Sequence, residues 1–176
     1  MNIKSKMLFI LIGDDRTGKT ILQKCLLDKL CGYGYERLPV NVCFDIKHPE
    51  IKRKYQNISF GNRSFQEKIE EYKSVDEYFS DYFKDADIAF ISSHLVENDV
   101  KLMIENGMKR FYNVIGVFFS NSIYNNYQDN SKISLLGWCE RLIVDNPITS
   151  DEKIDRQLDN IADNIVCLLI NRTGIS

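Results

Sequence analysis

No apolar run in the sequence approaches the roughly 18 consecutive residues that a membrane span requires, so length alone excludes a transmembrane helix. Only three prolines and nine glycines occur in 176 residues, which argues against a long disordered tail and predicts order nearly from end to end. The five cysteines, at 25, 31, 43, 139 and 167, contain no CxxC pair. An odd set falling mostly in apolar runs reads as reduced core residues of a cytosolic protein. A strong excess of either charge is missing too: the formal net charge is −2 and the pI is near 5.7. Duplex nucleic acid and anionic membranes therefore find no global attraction, and any phosphate must be held by a local site. The opening MNIKSK followed by MLFILI resembles the start of a secretion signal, but the apolar run is short and leads into a charged loop rather than a small-residue cleavage site. A cytoplasmic location is expected by default.

What is present is an alternation of short apolar runs and helical spacings. MLFILI at 7 to 12 has the continuous character of a strand buried on both faces. Ile21, Cys25, Leu26 and Leu30 then recur at helical spacing, and CGYGYER at 31 to 37 stops that helix. Further strands are expected at 39 to 46, 87 to 93, 111 to 119 and 141 to 145. The stretch HPEIKRKYQNISFGNRS between the second and third reads as a poor strand and a broken helix. Residues 64 to 84 have helical character, with SVDE at 74 to 77 forming a capping box. Val100, Met103, Ile104 and Met108 line another helix, and Ile154, Leu158, Ile161, Ile165 and Leu169 a last one, capped by Thr149 and Glu152. This order implies one α/β domain over 1 to 176: a mostly parallel sheet of five strands with helices on both faces.

Between the first strand and the first helix stands GDDRTGKT, residues 13 to 20, which satisfies GxxxxGK[ST]. Gly13 and Gly18 permit turns that bring the amides of Asp14, Asp15, Arg16 and Thr17 onto phosphate oxygens, and the following helix presents its positive end to the same anion. In this pattern Lys19 neutralises the β- and γ-phosphates and the Thr20 hydroxyl ligates Mg²⁺. The bland alternative is a polar turn; the position of the loop, directly after a buried strand, favours a nucleotide site.

These residues resemble the P-loop kinase group of small-molecule and nucleotide kinases, including the thymidylate kinase and bacteriophage deoxynucleoside monophosphate kinase types. The resemblance covers the whole chain in element order and is specific in GDDRTGKT. It implies a three-layer P-loop NTPase fold with strand order 2-3-1-4-5, and transfer of a phosphoryl group from ATP with Mg²⁺ to a nucleoside or nucleoside monophosphate. Arg16 stands where many of these kinases carry glycine, and an arginine there could reach the γ-phosphate. Neither DxxG after the third strand nor NKxD later is present, so a guanine-specific regulatory reading is weak.

Phosphoryl transfer needs metal, positive charge and an acceptor held in line. Asp45, closing the second strand, is the candidate base or acceptor contact that the group implies, against a reading as a turn cap. Arg63 is the candidate for a phosphorylated acceptor, since its fork suits a phosphate; the basic residues Lys47, His48, Lys52, Arg53 and Lys54 before it could equally be a solvated face. The third strand ends in Ser92, Ser93 and His94, where the group places an acid. His94 is a substrate-binding candidate, with a hydrogen-bonded strand-end histidine as the plainer account. Asn146, beyond the fifth strand, lies where such kinases pass the chain beside the adenine. The connection 120 to 137 holds no arginine, which favours the rival reading of a nucleotide-binding regulatory protein without efficient turnover. The expected partner is a small nucleotide, with no membrane and no duplex nucleic acid; self-association into a homodimer is left open.

Overall fold

The computed structural model describes residues 5–147 and 151–174, without the side chains of Asp151 and Glu152. The capping pair Thr149 and Glu152 lies outside what is described. Strand β1 (Lys6–Ile12) is followed by helix α1 (Lys19–Cys31), β2 (Val42–Asp45) and β3 (Asn57–Gly61). Two single turns follow, α2 (Ile69–Tyr72) and α3 (Val75–Glu77), then β4 (Ile88–Ser93), α4 (Glu97–Lys109) and β5 (Tyr112–Phe119). Helices α5 (Ser120–Asn125) and α6 (Tyr127–Ser134), strand β6 (Glu140–Val144) and helix α7 (Asp151–Thr173) complete the chain.

Among the described residues six strands form one sheet in the order β2-β3-β4-β1-β5-β6. The α/β class and the mostly parallel sheet are as expected, but the predicted five strands in order 2-3-1-4-5 are not what is found. Asn57–Gly61 inserts between the second and third predicted strands, and it pairs antiparallel with β2 and parallel with β4. Its sequence, NISFG, carries only two large apolar residues, so its alternation is too brief to be seen beside the polar residues around it. Ile58 and Phe60 are nonetheless buried to within 1% because neighbours cover the strand on both sides.

Strand β1 occupies the middle, parallel to both β4 and β5. Its alternate side chains enter two cores. Met7, Phe9 and Leu11 face α1, α7 and Phe44, while Leu8, Ile10 and Ile12 face α4 and the aromatic turns. Both faces of a central parallel strand are dry, hence the unbroken MLFILI rather than an alternating pattern. The aromatic residues 72 to 83 belong to the second core: Tyr72, Tyr78 and Phe79 are buried in mutual ring contact. Ser74 caps as expected, its Oγ accepting the Glu77 N–H at 3.1 Å. The cysteine expectation fails in part, since Cys31 is buried but Cys43, Cys139 and Cys167 are exposed on outward positions of an edge strand, a turn and a helix. Among the described residues no helix is long and apolar enough to cross a membrane.

Candidate functional site

Because β1, β3, β4, β5 and β6 run in one direction, everything that follows them gathers at one edge of the sheet. Residues 13 to 20, 62 to 67, 94, 120 to 126 and 145 to 146 all leave from that edge, the one where ligands of open parallel sheets bind. A cleft of about 750 Å³ opens there. Its walls include Asp15, Arg16, Thr17, Lys19 and Thr20 on one side, Asn62, Ser64 and Glu67 on another, and Asn121 from α5.

The loop at 13 to 20 is held tightly. Gly13 N–H donates to Ser93 O at 3.1 Å, which ties the loop to the end of β4. A side chain on Gly13 would meet Thr17 at 2.8 Å, so glycine is required for the loop to fold back on itself. Gly18 sits at φ 100° immediately ahead of α1, and Arg16 at φ 61°. Position 16 thus has a conformation that glycine adopts freely and arginine adopts at a cost of about 1 kcal/mol or more. The first helical bond noted beyond the loop runs from Leu22 N–H to Gly18 O at 3.0 Å. The amides of Lys19, Thr20 and Ile21 open the helix, where no preceding turn offers carbonyls and the dipole is positive.

Lys19 is 8% exposed. Its ammonium donates to the carbonyls of Gly13 and of Asp14, the latter at 2.7 Å, and lies 3.3 Å from Thr17 Oγ1. Burial pushes its pKa down from the ordinary 10.5 to about 8, and the negative charges of Glu67, Asp15 and Asp14 offset part of that fall. Three asparagines brace the loop from the β5–β6 side. Asn146 Nδ2 donates to Thr17 O at 2.9 Å, Asn121 Nδ2 to the same carbonyl at 3.4 Å, and Asn126 Nδ2 to Asp14 Oδ2 at 2.7 Å. Asn146 is 1% exposed and also engages Ser120. It stands behind the loop as a support, and its amide is already committed there.

Of the remaining candidates, His94 reaches the site. Its Nε2 lies 3.4 Å from Asp15 Oδ1 and 3.5 Å from Glu67 Oε1, and its backbone N–H donates to Gln66 Oε1 at 3.0 Å. Arg63 stands on the rim, half exposed, 3.4 Å from Glu67 Oε2. Ser92 and Ser93 are buried; Ser92 Oγ accepts from Gln23 Nε2 at 2.8 Å, and Ser93 Oγ donates to His94 O at 2.9 Å.

Asp45 does not join them. Strand β2 is antiparallel to β3, and Asp45 pairs with Asn57 at the start of that strand. Its carboxylate therefore ends at the opposite edge of the sheet. The basic residues that follow share this fate: Lys47 and His48 donate their N–H groups to Leu30 O at the far end of α1, and Lys54 Nζ binds Arg172 O at 2.7 Å. The acid that does face the loop is Glu67, which no local pattern in the sequence singles out. Its only signal was its place shortly after Arg63, and that signal needed β3 to be visible.

No protein-family model matches the chain, and no curated protein matches it in sequence.

Proposed function

We propose that the protein is an ATP- and Mg²⁺-dependent phosphotransferase of P-loop NTPase type, acting on a small acceptor of the nucleoside or nucleoside monophosphate class. The observation that carries this reading is Lys19, a buried ammonium beneath a glycine-bounded loop at the mouth of a cleft, directly ahead of a helix N-terminus. The chemistry of the donor set fits the group: amides and a cation suit polyphosphate oxygens, and the exposed Thr20 hydroxyl suits a hard cation. ATP would supply the phosphoryl group and Mg²⁺ would offset its charge.

The chain's own residues then divide the work. The loop amides and Lys19 bind and orient the phosphates. Arg16, exposed at the lip of the cleft, is the nearest side chain able to follow charge onto the transferred group. Glu67 takes the acceptor-side carboxylate role first given to Asp45, because it faces the loop from the exit of β3. Arg63 positions an anionic acceptor from the rim, or fixes Glu67 through its side-chain pair. Asn146 and Asn121 keep the loop from moving when the phosphates arrive.

The rival reading, a nucleotide-binding regulator without efficient turnover, is favoured by the two buried serines that close β4 in place of an acid. Labelled ATP incubated with a panel of nucleosides and mononucleotides separates them. Phosphorylated product that disappears in Lys19→Ala is expected. Tight ATP binding with no product from any acceptor would transfer the assignment to the regulator, and no binding of any nucleoside triphosphate would overturn both.

A further inference from the structure

Asp15, Glu67 and His94 come from three separate parts of the chain: the loop after β1, the turn after β3 and the end of β4. Their ligand atoms all lie within 4.8 Å of one another. The imidazole Nε2 is screened from solvent yet makes no hydrogen bond, although carboxylate oxygens stand 3.4 Å and 3.5 Å away. A second orphan faces the same cleft: Ser64 is wholly buried, and its hydroxyl has no partner. Buried polar groups are rarely left unsatisfied without a ligand or a role.

The spacing suggests the ligand. Bonds of about 2.1 Å in a tetrahedron hold neighbouring donors about 3.4 Å apart, whereas an octahedral magnesium site holds them about 3.0 Å apart. The two distances from Nε2 are near the tetrahedral value, and the three donors together lie within 4.8 Å of one another, close enough for the carboxylates to close on one ion. A nitrogen donor beside two carboxylates also suits zinc, cobalt or manganese better than magnesium. Each carboxylate is free to serve: Glu67 offers Oε1 to this point while Oε2 faces Arg63, and the Gln66 bond to the His94 backbone fixes where the ring starts.

We propose that Asp15, Glu67 and His94 form a binding site for a zinc-class divalent cation, with a fourth position open to the cleft. Three protein ligands and one open position are the pattern of a reactive rather than a purely structural zinc site. A cation held there fastens the 13 to 20 loop to the opposite wall, so it also sets the width of the cleft. The site uses only the chain's own side chains and stands whether or not the nucleotide reading holds.

Cobalt titration of the full-length, metal-free protein tests it, with zinc competition against a chromogenic chelator as a second measurement. One equivalent of cobalt is expected to give the intense visible bands of a tetrahedral centre, displaced by zinc. Asp15→Asn changes an exposed residue and leaves the fold intact, so it serves as the primary variant beside His94→Ala and Glu67→Gln. Each is expected to weaken binding by about a hundredfold or more, whereas Lys19→Ala keeps it. His48→Ala, altering a histidine at the far edge of the sheet, should bind as the parent does. Binding through the exposed cysteines would announce itself by a sulfur-to-cobalt band in the near ultraviolet and would count against the proposal. Cobalt that stays octahedral in the parent protein, or variants at positions 15, 67 and 94 that bind equally well, overturns it.

Discussion

The loop at 13 to 20 and the segment at 45 to 54 both gather acids and cations at the end of a strand, yet only the first lies at the cleft. Strand β1 runs with the sheet and delivers Lys19 to the edge where β3, β4 and β5 also end. Strand β2 runs against it and delivers Asp45 and Lys47 to the other edge. Charge pattern in the sequence is the same kind of signal in both places. Strand direction decides which of the two reaches the cleft.

The largest expected difference between the two regions is in nucleotide affinity. Lys19→Ala removes a cation buried beneath the loop, and a charge-assisted contact to phosphate is worth roughly 1.5–3 kcal/mol. Calorimetry with a non-hydrolysable ATP analogue and Mg²⁺ should show affinity falling by about a hundredfold. Replacing Lys52 and Arg53 together with alanine should leave it within about twofold. Equal losses in the two variants would mean that the far edge, not the cleft, holds the phosphates.

Next in size is the support behind the loop. Asn146→Ala leaves Thr17 O without its shorter tether and opens a small space beside Ser120. Loss of a buried hydrogen bond of this kind costs about 1–3 kcal/mol, readable as a lowered denaturation midpoint in urea. If the variant weakens nucleotide binding with no loss of stability, Asn146 touches the ligand after all.

Lys19 also makes stability depend on pH. Its folded pKa of about 8 lies below the free value of 10.5, so between those values the unfolded chain binds more protons than the folded one. The cost of burying this charge is therefore borne in full below pH 8 and is relieved as pH rises across that window, so stability rises with it. Cys31 acts in the opposite sense, because burial pushes its thiol from 9.0 up to about 12 and the unfolded chain ionises first. The difference between the parent and Lys19→Met isolates the lysine: it should grow by about 1 to 2 kcal/mol from pH 8 to pH 10. A flat difference would show that the ammonium is solvated.

Arg16 should separate stability from function. At φ 61°, replacement by glycine relieves backbone strain and should raise stability by up to about 1 kcal/mol, while any arginine-dependent turnover falls. A gain in turnover would remove Arg16 from the transfer step.

The same contrast shows what could be read in advance. The central strand, the loop and the helix behind it were legible because MLFILI, GDDRTGKT and the helical spacing of Ile21, Cys25, Leu26 and Leu30 are strong local patterns that the fold leaves undisturbed. His94 was placed at the site because β4 is itself a strong apolar run. What could not be read was long-range. NISFG owes its strand character to neighbours on both sides, and the antiparallel turn of β2 follows from that hidden pairing. Glu67 and the bracing asparagines at 121, 126 and 146 share this cause, since their roles depend on which strand ends lie side by side.

The smallest expected effect is the sharpest test of strand direction. Asp45→Asn removes an exposed carboxylate on an edge strand, so stability should move by no more than about 0.5 kcal/mol. Turnover should be unchanged, because among the described residues the cleft is lined from the other edge. Glu67→Gln, equal in size and chemistry, should depress turnover while leaving ATP affinity within a few fold. Steady-state rates for the pair, measured against whichever acceptor is phosphorylated, compare two carboxylates on opposite edges of the sheet. Loss of turnover in the Asp45 variant would require the β2–β3 pairing to run the other way.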